Sequence, residues 1–323
     1  MKAFVHEKGK FTVKEIDEPV ASEDEVIVDV RVTGLNHRDL FTQDKRGSDA
    51  EAFVIGSDGA GVVESVGKGV TDFKAGDEVI INPSVGWFEN TDVQPADFSL
   101  IDGTMTEKIA VNANQLEPKP NYLTWEEAGV LTLPAMTGYR AMFTKGELKE
   151  GETVFIPGAG SGVATYLVSF AKSVGARVIV TSRSEAKREA AKKLGADVAL
   201  DDSVDWNEAL ENETIDLVID SVGAATFNRS LGVLKPGGRM VVFGSSTEDV
   251  VELNIRDFFY GQYQLIGSTM ASREELREML SFMEQNEIRP VIDSTYTLDE
   301  AKEALDYLKN GEQYGKIAVK INE

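Results

Sequence analysis

The segment from Val154 to Ala164 constrains the fold most, because it places a glycine-rich turn between a short apolar strand and the start of a helix. Its sequence is Val-Phe-Ile-Pro-Gly-Ala-Gly-Ser-Gly-Val-Ala. Glycine lacks a Cβ atom, so the backbone N–H groups of such a turn can approach a pyrophosphate, and the helix that follows directs its positive dipole end at the same group. The pattern predicts a dinucleotide-binding loop. Its predicted contacts are Gly158, Gly160, Ser161, Gly162 and Val163.

An ordinary tight turn is the alternative interpretation, because Val163 and Ala164 stand where a strict G-x-G-x-x-G fingerprint offers glycine. The surroundings favour the dinucleotide loop. From residue 151 onwards, short apolar runs alternate with helical stretches, one of which is predicted to close at Lys235-Pro236-Gly237-Gly238. The pattern is typical of an α/β domain with a doubly wound parallel sheet. The predicted strands are 154–156, 178–180, 198–200, 215–220, 240–243 and 263–267.

The first part of the chain instead shows the two-residue period of β-strands. Four valines between residues 26 and 32 occupy every second position, and glycines separate short Val and Ile runs between Gly56 and Ile81. These patterns predict short strands joined by tight turns. We therefore expect a β-rich, barrel-like domain to precede the α/β domain.

The domain boundaries follow from capping patterns and from one isolated strand. Thr124 and Glu127 predict a capped helical crossing from Trp125 towards Phe143, interrupted by Pro134, and the junction is placed there. Two further capped helices and a lone strand at 316–321 end the chain. Because a lone strand needs a partner, we expect the chain to return to the first domain. The predicted domains are 1–134 with 270–323, and 135–269.

The charge balance excludes several classes of partner. The 323 residues include 33 Lys and Arg against 55 Asp and Glu, a net charge of -22. Such a field repels nucleic acids and anionic membranes. There is no cysteine and there are only two histidines, so thiolate chemistry and most zinc sites are disfavoured. With no long apolar run in the sequence, we expect a soluble, cytoplasmic protein.

The strand end at Thr181-Ser182-Arg183 indicates which dinucleotide binds. An NAD site usually has an acidic residue here to accept the ribose hydroxyls, and this strand end has none. Ser182, Arg183 and Lys187 suit a 2′-phosphate, because basic and hydroxyl groups donate to phosphate. NADPH is therefore predicted rather than NADH. The alternative is that the basic side chains only lie on a solvated helix start.

Five segments together resemble the medium-chain dehydrogenases/reductases, specifically their zinc-free, quinone-oxidoreductase-like members. Asn36 and Ser57 stand where the related zinc alcohol dehydrogenases place a Cys and a His ligand, Asp58 where they place a glutamate, and Leu133 where they place another Cys. The resemblance implies a GroES-like catalytic domain, a Rossmann coenzyme domain, no metal and a homodimer or tetramer. The five segments are 34–39, 56–61 with Gly67, the Gly158 loop, 267–270 and 315–316.

The resemblance also implies roles for individual residues. Asn36, Asp39 and Thr137 would lie near the nicotinamide, where the Asn36 amide could donate to a developing oxyanion, although an Asn that caps a turn is the alternative. His37 would contact the pyrophosphate or act as a proton relay, and Asp39 would orient its loop. Ser57 could be purely structural. The backbone at strand ends would bind the nicotinamide carboxamide, at Phe243, Gly244, Ser245 and Ser268.

The implied reaction is hydride transfer from NADPH to a quinone or an α,β-unsaturated carbonyl, because a conjugated acceptor spreads the arriving charge without a Lewis acid. Phe41 stands where many quinone oxidoreductases have a tyrosine, so the proton donor is unidentified. Asp202 stands where many have a tyrosine beside the adenosine ribose, which weakens the NADPH prediction. One alternative is a crystallin-like nucleotide-binding protein without turnover. An alcohol dehydrogenase or carbonyl reductase is the other.

Overall fold

The computed structural model describes residues 1–46 and 51–322. The chain divides into two compact units, one formed by Met1–Pro134 with Ser272–Glu323 and the other by Ala135–Ala271. The first division falls where the sequence placed a domain boundary. The second lies two residues later than the predicted boundary at 269/270.

The elements of the first unit up to the first division are β1 (Lys2–Glu7), β2 (Lys10–Glu15), β3 (Glu25–Gly34), α1 (His37–Arg46), β4 (Phe53–Val54), β5 (Asp58–Val66), β6 (Glu78–Ile81), β7 (Ser84–Val85), β8 (Ser99–Leu100), β9 (Lys108–Asn112), a 3-10 turn (Ala113–Gln115), β10 (Leu116–Pro118) and α2 (Trp125–Gly129). Helix α3 (Thr132–Tyr139) crosses the division and continues as a π-helical stretch (Arg140–Lys145).

The second unit then contains β11 (Thr153–Ile156), α4 (Gly162–Ser173), β12 (Arg177–Ser182), α5 (Glu185–Leu194), β13 (Val198–Asp201), α6 (Trp206–Ala209), β14 (Ile215–Asp220), α7 (Ala224–Val233), β15 (Leu234–Val242), α8 (Ile255–Gly261) and β16 (Gln264–Gly267). The tail of the first unit contains α9 (Arg273–Gln285), β17 (Ile292–Thr297), a 3-10 turn (Leu298–Glu300), α10 (Ala301–Asn310) and β18 (Lys316–Lys320).

The first unit is β-rich, and β3 lies at its centre. The main sheet of the described residues has the order β10-β6-β5-β3-β18-β17, with β9 also paired to β3. The four alternating valines of β3 are buried, and three of them pack against Val63, Val79 and Ile81. The last strand, β18, pairs antiparallel with β3, so that Ala318 lies opposite Gly34. This pairing places residues from the two ends of the chain side by side.

The second unit is built on a parallel sheet whose order, over the described residues, is β13-β12-β11-β14-β15-β16. Its core includes Phe155, Ile179, Val218 and Met240, one from each of four neighbouring strands. The α/β fold class with a doubly wound sheet is confirmed. The strand order reverses between β11 and β14, and ligands of such sheets bind beyond the carboxyl ends of the strands at this point. The glycine loop follows β11 there.

Two local predictions were wrong. Pro134 does not interrupt a helix, because it lies in the first turn of α3, where its missing N–H is not needed; the break between α2 and α3 comes earlier. The run Lys235–Gly238 does not end a helix but lies inside β15, since α7 already ends at Val233. There the register shifts, with Ile215 opposite Leu234 and Leu217 opposite Arg239. Gly237 has φ 76°, so this run forms an irregularity in the strand.

Across residues 1–46 and 51–322, no helix combines the length and the apolar character needed to cross a bilayer.

Candidate functional site

The glycine loop joins β11 to α4 and is held by the next strand. The N–H of Ala159 donates to Thr181 O at 2.8 Å, and Gly158 has φ 80°, a conformation that glycine adopts without strain. Ser161 caps α4, because its hydroxyl accepts from the N–H of Ala164 at 3.1 Å. The first N–H groups of α4, at Gly162 and Val163, precede the intrahelical bonds and lie at the positive end of the helix. The loop therefore has the form of an anion-binding turn.

The predicted phosphate-binding residues lie at the end of β12 and in the first turn of α5. Ser184 caps α5, and its hydroxyl accepts from the N–H of Lys187 at 3.4 Å. Arg183 is exposed between strand and helix, whereas Lys187 is half-buried and lies against Gly160. The hydroxyl of Ser182 accepts from the N–H of Ser184 at 3.2 Å.

The neighbouring strand β13 adds two carboxylates that the sequence pattern of β12 did not reveal. Ser182 lies opposite Asp201 in the sheet, and Thr181 Oγ1 donates to Asp202 Oδ1 at 3.2 Å. Arg188 pairs with Asp201 at 2.8 Å and donates to Ser182 O at 2.7 Å. Hydrogen bonds from Ser203, with the Arg188 charge, hold the pKa of Asp201 below its usual range. Arg188 thus offsets part of the added negative charge.

The remaining predicted cofactor residues directly follow the carboxyl ends of β15 and β16. The N–H of Phe243 donates to Asp220 O at 3.1 Å, and the Ser245 hydroxyl donates to Glu248 O at 2.9 Å. The Ser268 N–H donates to Val242 O at 2.9 Å, whereas its buried hydroxyl oxygen has no hydrogen-bond partner among the described residues. A buried hydroxyl normally finds a partner, so Ser268 Oγ fits a ligand that supplies a polar group. Gly244 follows Phe243 at the end of β15.

Thr137 lies in α3, at the start of the second unit. Its hydroxyl donates to the sulfur of Met270 at 3.5 Å, and it is buried. The segment that holds Ser268 and Met270 therefore lies beside Thr137.

The first unit contains a buried polar group that we call the lysine–carboxylate cluster: Asn36, Asp58 and Lys316. Asp58 Oδ2 accepts from Asn36 Nδ2 at 2.9 Å and from Lys316 Nζ at 3.1 Å. Asp58 Oδ1 accepts from the Thr132 hydroxyl at 3.0 Å and from the Leu133 N–H at 2.6 Å. The Asp58 carboxylate is thus saturated by four donors, and its side chain is fully buried.

Lys316 was not singled out as a functional residue by the sequence, although it belongs to a family segment. Its Nζ donates to Leu35 O at 2.6 Å, to Asn36 Oδ1 at 2.6 Å and to Asp58 Oδ2. A charge directly before the apolar run Ile-Ala-Val of β18 was the available signal. A lysine that points inward from such a strand requires buried acceptors.

Arg38 supplies a second positive charge near the same positions. Its Nη1 donates to Ser57 Oγ at 3.1 Å, to Ile101 O at 3.3 Å and to Asp102 Oδ1 at 2.7 Å. Ser57 is fully buried, so Arg38 is the donor that satisfies its hydroxyl. Asn36 and Ser57, two of the positions where the resemblance places zinc ligands in related enzymes, are therefore each bonded to a cationic side chain.

Asp39 and His37 lie at the start of α1. The N–H of Asn36 donates to Asp39 Oδ2 at 2.8 Å, which orders the turn into the helix. Burial raises the pKa of Asp39 to about 7, although the hydrogen bond from Asn36 and the nearby charges of Arg38 and Lys316 oppose the rise. His37 is exposed at the first position of the helix.

The predicted site residues thus fall into two groups. Asn36, His37 and Asp39 belong to the first unit, and the structure brings Asn36 and Asp39 into direct contact. The others belong to the second unit: Thr137 lies in α3, and the rest lie at the carboxyl ends of strands or in the first turns of the helices that follow them. No three His, Asp or Glu side chains come together as potential metal ligands in the part of the chain that the structure describes.

Two protein families match the chain. The family described as alcohol dehydrogenase GroES-like domain matches residues 22–121, and the one described as zinc-binding dehydrogenase matches residues 162–285. The first match lies within the β-rich first unit, and the second covers most of the second unit together with α9 of the first unit.

Full-length relatives agree with this assignment. The zinc-type alcohol dehydrogenase-like protein YogA of Leptosphaeria maculans is 30% identical over 95% of this chain and 93% of its own. Acryloyl-coenzyme A reductase of Metallosphaera sedula is 30% identical over 98% of this chain and 99% of its own. Quinone oxidoreductase of Mus musculus is 26% identical over 91% of this chain and 88% of its own.

Solved structures share the whole fold. An NAD-dependent alcohol dehydrogenase has a TM-score of 0.91 at 30% identity, covering 100% of both chains. The 2-octenoyl-CoA carboxylase reductase CinF, in complex with NADP and 2-octenoyl-CoA, has a TM-score of 0.87 at 26% identity and covers 97% of this chain and 82% of its own. This chain belongs to the medium-chain dehydrogenase/reductase superfamily of oxidoreductases.

Proposed function

We propose that the protein is an NADPH-dependent reductase that transfers hydride to a quinone or an α,β-unsaturated carbonyl without zinc. One observation carries the proposal: Asn36, which stands where zinc enzymes place a Cys ligand, and Asp58, which stands where they place a glutamate, are both bonded to the buried ammonium of Lys316. A positive charge already in place opposes the entry of a second cation. Without a Lewis acid, the acceptor that suits the site is one that delocalises the charge itself.

The second unit fits a dinucleotide. Gly158 adopts a positive φ, the first N–H groups of α4 lie at the loop, and Ser268 Oγ has no partner in the described chain. When bound, NADPH supplies the hydride. The loop residues Gly158, Gly160, Ser161, Gly162 and Val163 would hold the pyrophosphate, with His37 as a further contact. The carboxamide would be held at Phe243, Gly244, Ser245 and Ser268.

The choice of NADPH depends on Ser182, Arg183 and Lys187, which together offer a hydroxyl and two cations. Asp201 and Asp202 on the next strand would disfavour a phosphate if they were unpaired. Arg188 pairs with Asp201, and Thr181 donates to Asp202, so both carboxylates are engaged. The negative charge beside the proposed 2′-phosphate site is therefore partly compensated. One similar structure is named for NAD and another was solved with NADP, so the affinities for the two cofactors have to be compared directly.

The proposed catalytic residues act by position. Asn36 would donate from Nδ2 to the oxygen on which charge develops, and Asp39 would hold the Asn36 backbone through the bond at 2.8 Å. Thr137 would contact the nicotinamide. Similarity to an acryloyl-coenzyme A reductase and to a quinone oxidoreductase supports a conjugated acceptor of either kind.

The assay that tests the proposal follows NADPH absorbance with 1,4-benzoquinone, with 2-cyclohexen-1-one and with crotonyl-CoA, beside ethanol oxidation with NADP. We expect NADPH to be consumed with at least one conjugated acceptor, and we expect no reduction of NADP with ethanol. A change of NADPH fluorescence without any consumption would instead establish a nucleotide-binding protein without turnover. Ethanol oxidation as the main activity would establish an alcohol dehydrogenase.

We further propose that the protein is a homodimer formed through β16. This strand lies at one end of the sheet order, and its Leu265 side chain is exposed. Ile255, Phe259 and Tyr260 of the preceding helix α8 are also exposed. A second copy related by a twofold axis can pair with the strand edge and cover these apolar groups. Light scattering should give twice the 35.2 kDa chain mass, and Leu265→Lys should give a monomer.

A further inference from the structure

We propose that Lys316 is a positioning residue that, together with Asp58, holds the Asn36 carboxamide with its NH2 group as the donor towards substrate. The proposal rests on the proposed function, in which Asn36 donates to the developing oxyanion. It concerns residues of the first unit alone, which the chain brings together from three separate segments.

The contacts of Lys316 account for every hydrogen of its ammonium group. The three acceptors are Leu35 O, Asn36 Oδ1 and Asp58 Oδ2, and an ammonium group has three donors. The Lys316 side chain is 3% exposed and that of Asp58 is 0% exposed. Removing either charge alone would leave the other buried without compensation, which is strongly unfavourable. The ammonium is therefore fixed in one place.

The chemistry of the two partners determines which way the Asn36 amide points. A lysine ammonium only donates and a carboxylate only accepts. The Asn36 oxygen therefore has to face Lys316 Nζ, at 2.6 Å, and the nitrogen has to face Asp58 Oδ2, at 2.9 Å. A turn of the amide by half a rotation would place two donors against each other and two acceptors against each other.

Asp58 itself has little freedom to move. Its second oxygen accepts from the Thr132 hydroxyl and the Leu133 N–H. A Cβ atom on Gly34 would lie 3.2 Å from Asp58 Oδ2 and 2.8 Å from Val130 Cα, so the glycine allows the close approach of these segments. The carboxylate is thus a fixed reference for the Asn36 amide.

One Asn36 donor is left weakly engaged. The Nδ2 atom also contacts Gly34 O, but at 3.5 Å, which is longer than the usual 2.7–3.2 Å of an N–H···O bond. That hydrogen is the one that a substrate oxygen can take over. Because Lys316 withdraws electron density from the amide oxygen, it also strengthens the N–H donor at the other end of the amide.

The variants that test the proposal are Lys316→Met and the double variant Lys316→Met with Asp58→Asn, which removes both charges together. Lys320→Met is the matched control, because Lys320 lies on the same strand and its side chain is 52% exposed. In Lys316→Met we expect kcat with the conjugated acceptor to fall by about tenfold or more, while KM for NADPH is unchanged. The double variant should regain the stability of the wild type but not its kcat.

A second measurement does not depend on turnover. The side-chain amide signal of Asn36, identified by its loss in Asn36→Asp, should exchange with solvent at least about tenfold faster in both Lys316 variants than in the wild type and the control. If the wild type reduces no acceptor, the proposed function is wrong. The exchange rates of the Asn36 side-chain amide then test the role of Lys316 by themselves.

Two results would overturn the role of Lys316. One is wild-type exchange of the Asn36 amide in Lys316→Met. The other is wild-type kcat in the double variant, which would show that the lysine only balances the charge of Asp58. If Lys316→Met does not fold, both kcat and the exchange rate of the Asn36 amide are measured on the double variant.

Discussion

The Lys187 side chain lies directly against Gly160: a Cβ atom on this glycine would be 2.7 Å from Lys187 Cδ and 3.1 Å from its Nζ. The absence of a Cβ atom on the middle glycine of the loop therefore leaves space for the lysine that we propose to bind the 2′-phosphate. We also propose that it allows a phosphate to approach the backbone.

Gly160→Ala should displace Lys187 without unfolding the protein, because the far end of a lysine side chain moves at little cost. We expect NADPH affinity to fall more than NADH affinity, since only NADPH carries the phosphate that Lys187 would bind. Isothermal titration with both cofactors measures the two losses. Gly138→Ala is the control, because its new Cβ would lie at ordinary contact distance, 3.4 Å from Leu167 Cδ2. Equal losses for the two cofactors would contradict the role of Lys187.

The double variant Arg183→Ala with Lys187→Ala tests cofactor choice directly. Each charge-assisted hydrogen bond to the 2′-phosphate contributes about 1.5–3 kcal/mol, so NADPH binding should weaken by about tenfold or more for each cation while NADH binding changes little. Lys192→Ala on the same helix is the control, because Lys192 pairs with the exposed Glu189 at the surface. A preference for NADPH that survives the double change would assign the phosphate to other residues.

Asp39 should give the protein a pH-dependent stability. Burial raises its pKa from 3.8 to about 7, so between these values the folded chain keeps a proton that the unfolded chain has lost. The free energy of unfolding contributed by Asp39 therefore falls as pH rises through this window, by up to about 1.4 kcal/mol per pH unit. Urea denaturation of wild type and Asp39→Asn at several pH values measures the slope.

In Asp39→Asn the side chain is neutral throughout, and its oxygen can still accept from the Asn36 N–H. We expect the fall in stability between pH 4 and pH 7 to be smaller than in the wild type. The exposed Asp249→Asn is the control and should keep the wild-type slope. Identical slopes for wild type and Asp39→Asn would show that Asp39 is ionised over the whole range.

Activity with a conjugated acceptor should not depend on metal. The amide of Asn36 and the carboxylate of Asp58 are bonded to Lys316, and Ser57 is bonded to Arg38. Dialysis against a strong chelator should leave the rate of quinone or enone reduction unchanged, because these side chains bind neighbouring cations of the protein and are not expected to bind zinc. Metal content by mass spectrometry accompanies the assay. Stoichiometric zinc, or a rate that is lost with the chelator and restored by zinc, would refute the zinc-free proposal.

Local sequence determined the architecture of the second unit. The strands and the glycine loop were readable because each depends on neighbours in the chain: an apolar run of strand length, glycines that permit close approach, and a helix cap. Even there, the tertiary context changed details. Pro134 looked like a helix breaker but lies in a first turn, and Lys235–Gly238 looked like a helix end but lies in a strand.

The lysine–carboxylate cluster is formed only in the tertiary structure. The sequence identified Asn36 and Asp58 as positions of interest, and it predicted that the last strand needs a partner. It could not place Lys316, which is 280 residues from Asn36 and 258 from Asp58 in the chain. Sheet pairing between β18 and β3 brings them together, and burial then makes each charge depend on the other. Such long-range pairing depends on packing of the whole unit and leaves no local pattern in the sequence.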